Sequence, residues 1–186
     1  MRLFVAIKIE PDTAFLNLYR SLQTQLGLEK IKWVEPQNLH LTLKFIGKTP
    51  EDQLNLLHTN LQEVALRHSG FDLRLEKAGI FGSSYQPRVL WLGSNEQEEL
   101  RALGEDVLNS LDAIGFQRDR QNFVPHLTVG RIKQLTDKKF FQTVMAQYRD
   151  AFFQEVKVNE FLLYESRLNK QEPVYRVLRT YNLSSQ

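Results

Sequence analysis

The chain has 186 residues, 42% hydrophobic and 25% charged, with a net charge of only +2 from 24 Lys+Arg against 22 Asp+Glu. That length suits one globular unit or two small lobes around a shared core; no apolar run reaches the roughly eighteen residues of a membrane helix, and so small a net charge excludes bulk coating of nucleic acid. The absence of cysteine removes disulfides, thiolate nucleophiles and cysteine zinc sites, and it fits a reducing compartment, with the cytoplasm as the expected location.

Residues 2–9 read as a first strand rather than a signal peptide, because Lys8 and Glu10 interrupt the apolar run and no small-residue cleavage site follows. Residues 12–26 carry Phe15, Leu16, Leu18, Tyr19, Leu22 and Leu26 near helical spacing, with Gly27 as the stop. A short strand at 31–34 and a longer one at 39–46 follow. Thr49-Pro50-Glu51-Asp52 has the order of an N-cap, a first-turn proline and early acids, opening a helix through residue 67. Strands are expected at 71–80 and 88–92, then a helix at 96–114 closed by Gly115 and weakened by Gly104. Residues 123–132 form another strand, Thr136-Asp137 caps a helix to residue 148, and strands at 153–164 and 174–181 close the chain. Irregular alternation with short strand-to-strand loops predicts an α+β fold with antiparallel sheets.

The chain also nearly repeats itself. An offset of 86 lays Arg2-Leu3-Phe4-Val5-Ala6-Ile7 over Arg88-Val89-Leu90-Trp91-Leu92-Gly93, and the same offset carries His40-Leu41-Thr42 onto His126-Leu127-Thr128. The economical architecture is one domain over 1–186 with two pseudo-equivalent lobes, approximately 2–87 and 88–181.

Strand alternation places Leu39, Leu41, Leu43 and Phe45 on one face and His40, Thr42 and Lys44 on the other; around the second copy, Leu127 and Val129 oppose His126 and Thr128. Taken alone, each His-x-Thr reads as a structural hydrogen-bonding pair. Two copies in register can instead bring both polar faces to one cleft. Imidazoles titrate near neutral pH, so one can remove a proton while the other delivers one. Threonine hydroxyls two residues along can donate to an anionic oxygen between them. That describes in-line displacement at phosphorus, with no metal required.

These residues resemble the 2H phosphoesterase superfamily, whose two H-x-T-x motifs are here HLTL (His40 to Leu43) and HLTV (His126 to Val129). Within it the chain is similar to the bacterial and archaeal RNA 2′,3′-cyclic phosphodiesterases, historically called 2′-5′ RNA ligases, through MRLFVAI, NLHLTLKFIG, PRVLWLG, FVPHLTVGR, FLLYESRL and PVYRVL. The resemblance implies a bilobal 2H phosphoesterase-like fold with outer helices and a central cleft, and hydrolysis of a terminal 2′,3′-cyclic phosphate on RNA to a 2′-phosphate, with 2′-5′ ligation as the reverse. It implies His40 as proton donor to the leaving 3′-oxygen, His126 as the acceptor that activates water, Thr42 and Thr128 on the phosphate oxygens, and Arg131 as a phosphate contact. Strict alternation sets Arg131 opposite His126, so that contact needs a bulge, for which Gly130 is the expected site. The implied partners are RNA ends bearing 2′,3′-cyclic phosphate, tRNA fragments among them, or related nucleotides. No cofactor and a monomer are expected.

His58 and His68 fall in or at the end of a predicted helix without metal-ligand spacing, and His68 reads as an exposed helix-terminal residue. Lys44 follows Thr42 on the polar face and can add charge to the cleft; Trp33, Tyr85, Phe123 and Tyr164 are aromatics near the motifs that can stack on a base or simply pack in the core. The mixed-sign cluster Arg118-Asp119-Arg120 reads as solvated loop charge. Two readings compete with RNA-end hydrolysis: an RNA-end binding module without turnover, and a phosphodiesterase acting on small cyclic nucleotides or 2′,5′-linked oligonucleotides, decided by loops at 82–86 and 166–171.

Overall fold

In the computed structural model, which describes residues 1–94, 97–119, 123–169 and 171–185, the first strand sets the layering. β1 (Arg2–Lys8) is buried through five consecutive residues, so it must be covered on both faces. Leu3, Val5 and Ile7 enter the main core, whereas Phe4 and Ala6 point the other way into a small cluster with Leu162 and Tyr164.

The remaining elements follow in order: α1 (Thr13–Gln25), β2 (Lys30–Trp33), a 3-10 turn (Pro36–Asn38), β3 (His40–Lys48), α2 (Leu54–Leu66), β4 (Phe71–Glu76), β5 (Ala78–Gly82), β6 (Pro87–Leu92), α3 (Glu98–Ala113), β7 (Leu127–Gln134), α4 (Lys138–Tyr148), β8 (Phe152–Val158), β9 (Glu160–Leu168) and β10 (Pro173–Asn182). The antiparallel order is β10-β9-β1-β3-β7-β6-β5, with β2 also on β7, and β4 pairs separately with β8. α1 and α4 are capped by Asp12 and Asp137, whose carboxylates accept from the amides of Phe15 and Phe140 at 2.7 and 2.9 Å. Apolar residues of the four helices, Phe15, Leu57, Val107 and Phe141 among them, fill the core beneath Leu41, Leu43, Leu127 and Val129. No helix among the described residues is long and apolar enough to cross a membrane.

Several expected boundaries move for identifiable reasons. The strand expected over 71–80 breaks at Lys77, which takes a φ of 75°; β4 then pairs with β8 while β5 turns away to β6. The strand expected over 153–164 divides likewise, β8 staying with β4 and β9 moving to β1 and β10. Each motif strand therefore lies in a sheet completed from the far half of the chain. Thr49 does not cap α2: its amide donates to the Met1 carbonyl at 2.7 Å, extending the β1–β3 ladder, and its hydroxyl donates to Gly47. A 3-10 turn (Glu51–Gln53) intervenes before the helix. The second motif strand begins at Leu127 rather than 123, because Phe123 packs on α3, where a side chain at Gly104 would overlap its ring. The helix start expected at Glu96, Arg120 of the charge cluster, and Lys170 in one expected specificity loop lie outside the described residues.

Candidate active site

β3 and β7 meet at one cross-strand pair among the described residues, Leu41 with Leu127. Both leucines are fully buried, each worth about 2 kcal/mol of apolar burial. With those two side chains turned into the core, alternation turns their neighbours the other way. His40, Thr42, His126 and Thr128 accordingly line one cleft of about 630 Å³, within the range of small-ligand pockets.

The backbone orients both imidazoles alike. Nδ1 of His40 lies 2.6 Å from the Asn38 carbonyl oxygen, and Nδ1 of His126 lies 2.8 Å from that of Val124. A carbonyl oxygen only accepts, so each Nδ1 carries the proton and each Nε2 is left for the cleft. Aromatic rings hold the orientation: Tyr175 meets His40 edge-on at 5.2 Å with Phe4 at 5.0 Å, and Phe81 meets His126 edge-on at 4.7 Å. Burial pushes both histidines below their ordinary value; the carbonyl hydrogen bonds oppose that shift, and the Arg131 charge adds to it.

Arg131 reaches the cleft through the bulge that alternation required. In the β6–β7 ladder Leu90 faces Gly130 and Trp91 faces Thr128, leaving Val129 unmatched. The carbonyl of Val129 is fixed by the Val34 amide at 2.9 Å and lies 2.9 Å from the buried hydroxyl of Tyr19. Past that residue the alternation is reset, and Arg131 lines the cleft with His126 and Thr128.

β3 bulges at the corresponding place, and this overturns the expected position of Lys44. Thr42 pairs with Ala6 and Lys44 with Val5, so Leu43 is unmatched. Lys44 is thereby turned from the cleft face into the interior, 5% exposed, where its ammonium donates to the Gln117 carbonyl at 2.7 Å and burial lowers its pKa. Phe45, expected in the core, is 65% exposed and lines the cleft.

Of the proposed stacking aromatics, Trp33 lines the cleft. Tyr164 is buried against Phe4, with ring centroids 4.9 Å apart, Phe123 packs on α3, and Tyr85 lies on the outer surface. The cleft aromatics that sequence reasoning missed are Phe4, Phe45, Phe81 and Tyr175; Phe45 was findable, since it stands five residues after His40 as Arg131 does after His126.

The other histidines serve the frame. His58 lies 2.7 Å from the Tyr181 hydroxyl. His68 is not a free helix-end residue: its Nε2 lies 2.7 Å from the Asp106 carboxylate, which also accepts from Arg67 and Ser110. Burial acts to raise Asp106, but these hydrogen bonds outweigh it and hold the carboxyl at about 2. Among the described residues no group of three or more histidine, aspartate or glutamate side chains is arranged to hold a metal ion.

The family model described as the 2′-5′ RNA ligase superfamily matches residues 11–170. The chain belongs to that superfamily. It is 35% identical over 181 residues to the RNA 2′,3′-cyclic phosphodiesterase of Archaeoglobus fulgidus, covering 97% of this chain and 99% of that protein. It is 37% identical over 155 residues to the enzyme of the same name from Aquifex aeolicus, covering 82% and 81%. Among solved structures, E. coli LigT complexed with 3′-AMP superposes with a TM-score of 0.79 at 26% identity, covering 98% of both chains. The LigT structure shares the α+β fold of antiparallel sheets and helices described above.

Proposed function

We propose that this chain hydrolyses the terminal 2′,3′-cyclic phosphate of RNA to a 2′-phosphate. The observation that supports this most directly is the pair of histidines whose Nδ1 atoms are tied to backbone carbonyls beside one cleft that also holds two threonines and Arg131. The relatives named as RNA 2′,3′-cyclic phosphodiesterases support the choice of substrate.

In this reading neutral His126 takes a proton from water through Nε2 as the water oxygen attacks phosphorus. Protonated His40 gives its Nε2 proton to O3′ as the P–O3′ bond breaks, leaving the phosphate on O2′. Thr42, Thr128 and Arg131 hold the non-bridging oxygens, which carry negative charge throughout. Without substrate, burial and, to a smaller extent, Arg131 favour the neutral form of both imidazoles; the negative charge of the bound phosphate acts against both effects and favours the protonated form that His40 needs. Exchanging the two roles gives the reverse reaction, 2′-5′ ligation. The terminal base lies on the wall of Phe45 and Tyr175, which Phe4 backs from beneath.

Each half of the duplicated chain supplies one histidine and one threonine, so we read 1–186 as one functional domain, active as a monomer. Incubation with an oligoribonucleotide ending in a 2′,3′-cyclic phosphate, followed by analysis of the end formed, tests the reading. A 2′-phosphate is expected. A 3′-phosphate, or no product, overturns it.

A further inference from the structure

The cleft continues beyond Arg131. A second depression of about 590 Å³ shares Val89, Arg131 and Lys133 with it and runs past Arg88 and Lys138 to Tyr85. Four cationic side chains line this groove and no carboxylate does, whereas the cleft includes Glu35 and Glu172.

No carboxylate forms an ion pair with these side chains among the described residues, although Glu29 and Asp137 lie beside the start of α4. Arg67, Arg74, Arg118, Arg167 and Arg176 each pair with a carboxylate. Among the described residues none pairs with Arg88, Arg131, Lys133 or Lys138. On a chain of net charge +2, four unpaired cations along one path form a local positive field that attracts a polyanion. Arg131 and Lys133 are two residues apart on one strand, roughly 7 Å by strand rise, about one nucleotide step of an extended single strand. At the far end, Tyr85 is largely exposed and the Lys138 ammonium sits 4.0 Å over its ring. An exposed aromatic beside cations is the combination that binds single strands without sequence preference.

We infer that this groove receives the RNA strand on the 5′ side of the cyclic end, with phosphates on Arg88, Lys133 and Lys138 and a base on Tyr85. The inference rests on the proposed function and sharpens it. A 2′,3′-cyclic phosphate ends the chain, so everything else in the RNA leaves through the 5′-oxygen of the terminal nucleoside. A groove prepared for that continuation makes an oligonucleotide, not a cyclic mononucleotide, the substrate class.

The test compares a 2′,3′-cyclic mononucleotide without a 5′-phosphate and a short oligoribonucleotide with the same cyclic end, using wild type, Arg88→Glu/Lys138→Glu and Tyr85→Ala. All three positions lie outside the cleft, and thermal unfolding checks that the variants fold. For the oligonucleotide, kcat/KM of the double variant falls about tenfold or more, mainly through KM, and its dependence on salt flattens by about 1.4 in log–log slope for two lost phosphate contacts. For the mononucleotide it stays within about twofold, as expected for an exposed site away from the chemistry. Equal losses on both substrates, or no loss on the oligonucleotide, overturn the groove. If wild type turns over neither substrate, the proposed function fails, and the groove is judged separately by fluorescence anisotropy of a labelled oligoribonucleotide. Unchanged affinity in the double variant, and in Arg88→Gln/Lys138→Gln should the reversal not fold, rejects it.

Discussion

Phe45 and Arg131 hold equivalent places in the two motif strands: each stands five residues beyond a motif histidine, past a bulge at Leu43 or Val129, and each lines the cleft. One wall therefore presents an aromatic ring where the other presents a guanidinium. Outward from the β3–β7 seam each motif strand is followed by the opening strand of its own half, β1 or β6, yet the two sides of the cleft differ chemically, as suits a substrate with a base at one end and a phosphate at the other.

The two substitutions should consequently separate. Phe45→Ala raises KM about tenfold through lost base stacking and leaves the pH profile in place. Arg131→Gln also weakens binding, and it moves the profile: Arg131 lowers both histidines, so its removal raises both, and both limbs shift to higher pH. Steady-state kinetics across pH checks this, and a shift to lower pH is the contrary result.

The donor and acceptor roles predict opposite losses. Wild type is expected to show a bell-shaped profile in kcat/KM, the acid limb from a base that must be unprotonated and the alkaline limb from an acid that must be protonated. His40→Ala and His126→Ala each lose about 10²- to 10⁴-fold in rate with the fold retained. Residual activity of His40→Ala lacks the alkaline limb and that of His126→Ala the acid limb. The reverse pattern exchanges their roles.

Lys44→Met tests the bulge in β3. With its ammonium buried on the Gln117 carbonyl, Lys44 contributes nothing to the cleft, so kcat/KM changes by less than about twofold. Stability falls by no more than about 1–2 kcal/mol, since methionine matches the volume while the carbonyl loses its donor. A large rise in KM with unchanged Tm would put Lys44 back in the cleft.

Gly104→Ala acts on the site from a distance. Its methyl group overlaps the Phe123 ring, and Phe123 leads into the segment whose Val124 carbonyl orients His126. Unfolding should show a loss of about 1–3 kcal/mol despite the better helix propensity of alanine, and kcat should fall more than KM rises. A stabilised, fully active variant would show that Phe123 does not position His126.

Legible in the sequence were the features set by neighbouring residues. Period-two alternation separated His40 and Thr42 from the leucines beside them, the 86-residue offset paired them with His126 and Thr128, and the same alternation showed that Arg131 needed a bulge near Gly130. The bulge at Leu43 was not legible, and so Lys44 and Phe45 were assigned to each other's faces. Register is settled by the partner strand, and the partners of β3 and β7 lie about forty to a hundred residues away, some of them in the other half of the chain. The break at Lys77 likewise follows from its two flanking strands finding different neighbours. The sequence by itself determined which side chains are proposed for the chemistry, because their type and spacing are local properties. Tertiary structure decided which of them share a cleft, because the bulges at Leu43 and Val129 are set by pairing with strands distant in sequence.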